Sequence, residues 1–266
     1  MTADDLVHAL GLPDSTRLNQ RVPKKLLAEH GAATAADRRQ IQDSVEEIVW
    51  LAALKPHCIG VPAFADGRRQ YVELAVLHLT LRAGAKVGRL VELLHRAVPY
   101  PVLLLTTSEA GVGVSLAHLR AAQNEADRTV LEGERLSVLL PQEAVGGMAG
   151  GAALPAFRAA MALARQPQTD LHALYQGWMD TVAALDIAGE TGCFQPSRTR
   201  EEAVRRHQSL QQCRALRARL KQLQDLARKE RQVARQVAVN REMRDLQAML
   251  QQHKTALLAG LTGEQT

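Results

Sequence analysis

In the stretch FADGRRQYVELAVLHLTLR, two carboxylates flank a tight turn: Asp66 at the turn itself and Glu73 at the start of the run that follows. Paired carboxylates beside a β-hairpin can hold Mg²⁺ and activate a water for phosphodiester cleavage, as in a restriction-endonuclease-like core. Glu46 and Glu47 supply further acids upstream. The lysine that such a core places two residues past its strand acid is missing, because Ala75 stands there and the nearest cation in the strand is Arg82. Asp66 reads equally as a turn residue, and Glu73 as a strand acid bonded to backbone or to Arg69. Asp66 and Glu73 are therefore the catalytic candidates of a divergent nuclease with Mg²⁺ as cofactor; otherwise no catalytic residue and no cofactor is expected.

Histidine is the other source of chemistry. His78 shares a strand face with Val76 and Thr80, and His118 lies in the apolar stretch GVGVSLAHL. Single histidines in such settings more often satisfy their ring nitrogens by hydrogen bonds than bind metal, so no metal site is expected. His95 and Arg96 are expected to face solvent. No phosphate-cradling P-loop, dinucleotide fingerprint, H-E-x-x-H or G-x-S-x-G occurs, and the glycine cluster GGMAGG has no lysine partner and reads as a joint. The 3 cysteines, Cys58, Cys193 and Cys213, have no paired spacing, which fits a reducing compartment.

The elements that must position these residues follow from pattern. With aromatics at 3% of 266 residues, the core has to be built from Leu, Val, Ile and Ala, and base-stacking platforms for single strands are not expected. Asp4 to Leu10 and VPKKLLAEH, with Pro23 at its first position, read as short helices. Ile41, Val45, Ile48 and Ala52 predict an amphipathic helix from Ala35 to just before Pro56. His57 to Val61 and the run after Asp66-Gly67 read as a hairpin, whose second strand is apolar on both faces and so covered on both. Val87, Leu90, Val91 and Leu94 predict a crossover helix leading into PVLLLTT as a parallel neighbour, and GVGVSLAHL and TVLEGERLSVLL read as further strands. Between crossover helix and strand, Val98-Pro99-Tyr100-Pro101 stops the helix and sets the strand's entry angle.

Beyond GGMAGGAA, a helix from Pro155 and a second one after Thr169, with Leu171, Leu174, Tyr175, Trp178, Val182 and Leu185 on one face, form a connector. From Thr199 to Leu258 there is no Pro or Gly. A continuous helix there would be about 90 Å long at about 1.5 Å per residue. Two heptad seams run through it, one with Leu216, Leu220 and Leu223, the other with Leu246 and Leu250, out of phase with each other. The offset predicts a bend around Ala234 to Asn240 and equally permits a helical hairpin. The fold class is mixed α/β (α+β): residues 1–145 as a mixed sheet with flanking helices and one β-α-β crossover, 146–197 as linker and helical connector, and 198–266 as a basic coiled-coil tail.

The net charge of +5 is concentrated in that tail, where about 14 Lys/Arg face about 6 Asp/Glu between Arg200 and Leu258. Arg205, Arg206, Arg214, Arg217, Arg219, Lys221, Arg228, Lys229 and Arg231 are the candidates for salt-sensitive contact with DNA phosphates. Their alternative is the solvated face of a coiled coil. No apolar run reaches the roughly 20 residues of a membrane span, and the acids in MTADDLVHALGL replace a signal peptide's positive charge; a cytoplasmic protein is expected.

The succession LPDSTRLNQRVPKKLL, DSVEEIVWLAALKP, YVELAVLHLTL and LLHRAVPYPVLLL resembles the bacterial proteins grouped as domain of unknown function 4391, at Asn19, Arg21, Pro23, Lys24, Trp50, Glu73, Pro99 and Tyr100. Where that family tends to carry Ile-Asp-Lys before its IPY, this chain has Leu94-His95-Arg96. The resemblance implies a small companion of helicases and DNA methyltransferases in phage-defence islands and assigns no reaction. The expected function is thus a non-enzymatic adaptor whose tail seam, Leu216, Leu220, Leu223, Leu246 and Leu250, docks on such a partner or on a second copy.

Overall fold

The apolar run LAVLHLTL decides the architecture, because a strand apolar on both faces must be covered on both. The computed structural model describes residues 1–122, 129–140, 150–197, 199–230 and 232–258. The chain forms two compact units, Met1–Val182 and Ala183–Thr266. The first contains α1 (Ala3–Leu10), β1 (Arg17–Arg21), α2 (Lys24–His30), α3 (Ala35–Ser44), β2 (Val45–Leu54), α4 (Pro56–Ile59), β3 (Phe64–Ala65), β4 (Gln70–Tyr71) and β5 (Leu74–Leu81). These are followed by α5 (Val87–Ala97), β6 (Val102–Ser108), β7 (Gly111–Ala121), β8 (Thr129–Leu140), α6 (Gly150–Ala160) and the first part of α7 (Leu171–Thr191).

Six strands form one sheet in the order β1-β2-β5-β6-β7-β8. β5 and β6 are parallel, Ala75 opposite Val102, and α5 is the crossover between them. The other pairings are antiparallel. On one face, Leu27 of α2, Ile41 of α3 and Leu90 and Leu94 of α5 close over Leu77, Leu79 and Leu104. Strand residues of the other parity, Val76, Leu103 and Leu105, are buried as well, and α1 packs against β6 and α6. Each fully buried leucine contributes roughly 2 kcal/mol, so this double covering is the main source of the unit's stability. The mixed α/β class and the crossover expected from the sequence are what the structure has.

Several local expectations change. The helix read through Ala52 stops at Ser44, and Val45–Leu54 is strand β2. Its neighbours β1 and β5 pair with both of its edges, and β-branched Val45, Ile48 and Val49 with Trp50 suit a pleated surface. His57 lies in the short helix α4 rather than in a strand. The Asp66-Gly67 turn joins the small pair β3–β4, not the long strand β5. Asp170, one residue past Thr169, caps α7, its carboxylate accepting from the Ala173 amide at 2.8 Å. The joint GGMAGG falls largely outside the described residues.

In the second unit the end of α7 is followed by α8 (Arg200–Lys229) and α9 (Val233–Leu258). Thr199 caps α8, accepting from the Glu202 amide at 3.2 Å. The two long helices pack on each other as an antiparallel hairpin, with Arg219 bonded to Glu242 at 2.9 Å and Leu210 and Cys213 clustered with Leu257 and Leu250. The break comes at Glu230, earlier than the bend expected around Ala234 to Asn240.

Tyr175 of α7 closes a gap in the sheet. Its buried hydroxyl accepts from the Ala117 amide at 2.9 Å and donates to the Val102 carbonyl at 2.8 Å, joining β6 and β7 beyond their last ladder pair, Leu104 with Ser115. Tyr175→Phe leaves that amide without a partner, and urea denaturation is expected to show a loss of about 1–3 kcal/mol with an unchanged m-value.

Candidate functional site

Four elements of the first unit bring aromatic and imidazole rings together. β3 supplies Phe64, β4 Tyr71, β7 His118, and α7 both His172 and Gln176. The Tyr71 hydroxyl is 2.6 Å from His118 Nδ1, and His118 Nε2 is 2.9 Å from Gln176 Oε1. Gln176 Nε2 donates to Asp180 Oδ1 at 2.8 Å, which turns the amide oxygen toward the histidine. His118 Nε2 therefore carries the proton, and Nδ1 accepts from Tyr71. His172 stacks on His118 with centroids 5.1 Å apart and on Phe64 at 4.8 Å. Beside them Arg69 grips Glu132 through two bonds of 2.5 and 2.8 Å.

The electrostatics keep these rings neutral. Burial pulls His118 down to about 4, against the Gln176 bond and with help from His172. Burial, then the Arg69 charge, lowers His172. Burial raises the Tyr71 phenol. The arrangement fixes one tautomer and holds a proton on the tyrosine, and Tyr71 is fully buried, so the chain of bonds locks β4, β7 and α7 together. His118, His172 and Gln176 are partly exposed. Sequence reasoning missed this cluster, since Tyr71, His118 and His172 are joined only by tertiary contact.

The acids singled out from the sequence are each engaged separately. Asp66 accepts from the amides of Arg68 and Arg69 at 2.7 and 2.6 Å, which lowers its pKa, and Arg69 Nη1 is 3.7 Å away. Glu73, mostly buried, is paired with Lys55 at 3.4 Å. Its cation is thus Lys55, just past the end of β2, and not Arg82, which donates to the Asp43 carbonyl at 3.1 Å. Among the described residues no group of three or more His, Cys, Asp or Glu is placed to hold a metal. His78 bonds Thr107 at 2.8 Å, so His78 and His118 satisfy separate partners.

His95 does not face solvent: it is 2% exposed and lies 3.0 Å from Ser115 Oγ. Ser115 and Ser137, themselves bonded at 2.9 Å, give this face of the sheet a polar spot that an imidazole can occupy. Burial and the nearby Arg135 charge push His95 down to about 3. Arg96 pairs with Glu92 at 2.7 Å. Tyr100 meets Trp50 edge-on at 6.4 Å, which fits a structural corner. Asn19 adopts φ 48° where the β1–β2 register shifts, Arg21 pairs with Glu47 at 3.4 Å, and Lys24 donates to the Val45 carbonyl.

In the tail the basic residues are unequal. Arg206 is 4% exposed and donates to the Gln195 carbonyl at 2.7 Å. Arg214 pairs with Asp186 at 2.5 Å, Arg217 with Glu190, and Arg219 with Glu242. Arg205, Lys221 and Arg228 are exposed; the Lys229 side chain and Arg231 lie outside the described residues. Of the apolar seam, Leu220 and Leu223 are buried, and Leu216, Leu246 and Leu250 are half-buried.

Half-buried His118 and buried His95, whose pKa values burial lowers furthest, make the fold acid-sensitive. Their folded pKa values lie below the unfolded value near 6.5, so the unfolded chain takes up protons first as pH falls. Stability is expected to be full above about pH 7 and to decline from about 6.5 toward about 4 for His118 and about 3 for His95. His118→Gln should flatten that decline in denaturation curves recorded across the window; an unchanged slope would count against a neutral His118.

No curated protein and no solved structure was found to match the chain. Among the described residues, no helix is long and apolar enough to cross a membrane. The family model described as Domain of unknown function (DUF4391) matches residues 10–250, a span that includes the six-stranded sheet, α7, α8 and most of α9. On that coverage, the chain belongs to the DUF4391 family.

Proposed function

We propose that this chain is a non-enzymatic, cytoplasmic accessory subunit of a bacterial DNA-processing or anti-phage defence assembly, docking through the α8–α9 hairpin onto a larger protein such as a helicase or a DNA methyltransferase. The observation that carries the reading is uneven burial along the hairpin. Leu210, Cys213, Leu220 and Leu223 of α8 and Leu257 of α9 are buried, whereas Val239, Met243 and Leu246 on the α9 side toward the turn stay partly exposed. An apolar seam left open along a basic hairpin is a feature of a surface that meets another protein. Direct duplex binding by the tail draws less support, since Arg206 is buried and Arg214, Arg217 and Arg219 already face acids.

Affinity purification of the tagged chain from its native host after nuclease treatment tests this. The full chain is expected to retain a protein partner in near-equal amount, and a chain stopped at Pro196 to lose it. Recovery of the chain alone, with nucleic acid removed by the treatment, contradicts it.

A second reading, a divergent nuclease using Mg²⁺ with Asp66 and Glu73, gains one favourable observation: Lys55 supplies beside Glu73 the cation that the strand itself lacks. It predicts Mg²⁺- or Mn²⁺-dependent cleavage of duplex DNA that drops at least about a hundredfold in Glu73→Gln with folding retained. No cleavage by the unaltered chain removes it.

A further inference from the structure

The inner half of the hairpin shows what its groove accepts. There the last turns of α7 lie against α8 and α9: Ile187 packs with Leu210, Cys213 and Leu257, while Asp186 and Glu190 on either side of it pair with Arg214 and Arg217. An apolar residue between two acids, Asp-Ile-x-x-Glu, is thus seated on an apolar groove with a basic rim. α7 ends at Thr191, but the rim does not. On a 3.6-residue helix Arg214, Arg217, Lys221 and Arg228 share one face, and both Lys221 and Arg228 are exposed. On α9 the apolar stripe continues with the partly exposed Val239, Met243 and Leu246, whereas Leu220 and Leu223 of α8 are already covered.

We infer that the outer half of the hairpin binds an acidic amphipathic helix of a partner protein, seated as the end of α7 is seated on the inner half. This rests on the adaptor reading and names the chemistry of its partner. The charge argument selects the occupant. The hairpin carries about 14 basic against about 6 acidic residues, so a second copy of the same hairpin is repelled and an acidic helix attracted. A nucleic acid would meet the rim but leave the apolar floor open. The one acid on this face, Asp225, lies 3.9 Å from Arg228 in an exposed pair, and exposed pairs are weak enough for a partner carboxylate to replace.

The test is fluorescence anisotropy of the full chain with a labelled helical peptide that repeats Asp-Ile-x-x-Glu on one face. Saturable binding is expected, weakened at least about tenfold by combined Lys221→Glu and Arg228→Glu, and restored to that variant when the peptide's acids are exchanged for lysines. Circular dichroism checks that the variant keeps its helices; if it does not, Lys221→Gln with Arg228→Gln takes its place. No saturable binding, or equal binding by both chains, overturns the inference. So does a DNA duplex that binds while the peptide does not, or self-association that the double variant abolishes. In the co-purification, a partner retained by the double variant overturns this inference and leaves the adaptor reading standing, whereas no partner with the unaltered chain defeats the adaptor reading itself.

Discussion

A strand pair with apolar side chains on both faces has to be shut away from water on both, and most of the first unit follows from that requirement. β5 and β6 are parallel neighbours, and parallel strands need a crossover long enough to return over the sheet, which α5 provides. α5 covers one face together with α2 and α3. On the other parity Val76, Leu103 and Leu105 are as deeply buried, which makes α1 and α7 structural necessities at that end of the sheet. Removing either covering exposes leucines and valines by the row, a cost that no surface ion pair offsets.

Polar groups trapped by this covering are satisfied individually. Tyr175 bridges β6 and β7 where their ladder ends, His118 connects Tyr71 to Gln176, and His95 rests on Ser115. Each imidazole is held neutral by its burial. The same residue types that invite a catalytic reading therefore work here as fasteners between elements distant in sequence. Arg89 shows the charged version, clasping Asp37 of α3 from α5 with two bonds of 2.9 Å.

How much of this was legible depends on whether a residue's environment is local. The doubly apolar strand, the crossover and the two out-of-phase seams are short-range patterns, and all three correspond to β5, α5 and the α8–α9 hairpin. β2 differs from the helix expected because Ile41, Val45, Ile48 and Ala52 satisfy a helical spacing, while the apolar run Ile48 to Leu54 shows no alternation to compete with it. Its β-branched residues and Trp50 were the available signal. β1, RLNQR, is an exposed edge strand with no apolar pattern at all. The ion pair between Glu73 and Lys55, the burial of His95 and the meeting of His118 with His172 depend on register and helix placement, which no local spacing encodes.

In the proposed docking mode the hairpin is complete at its inner end and leaves the α9 side of its outer end open. Hydrogen exchange along the free full chain measures this directly. Amides of residues 203–214 and 250–257, where Ile187 and its flanking acids close the bundle, are predicted to exchange at least roughly tenfold more slowly than those of 218–228 and 235–245. Uniform protection along both helices would contradict an unfinished outer groove.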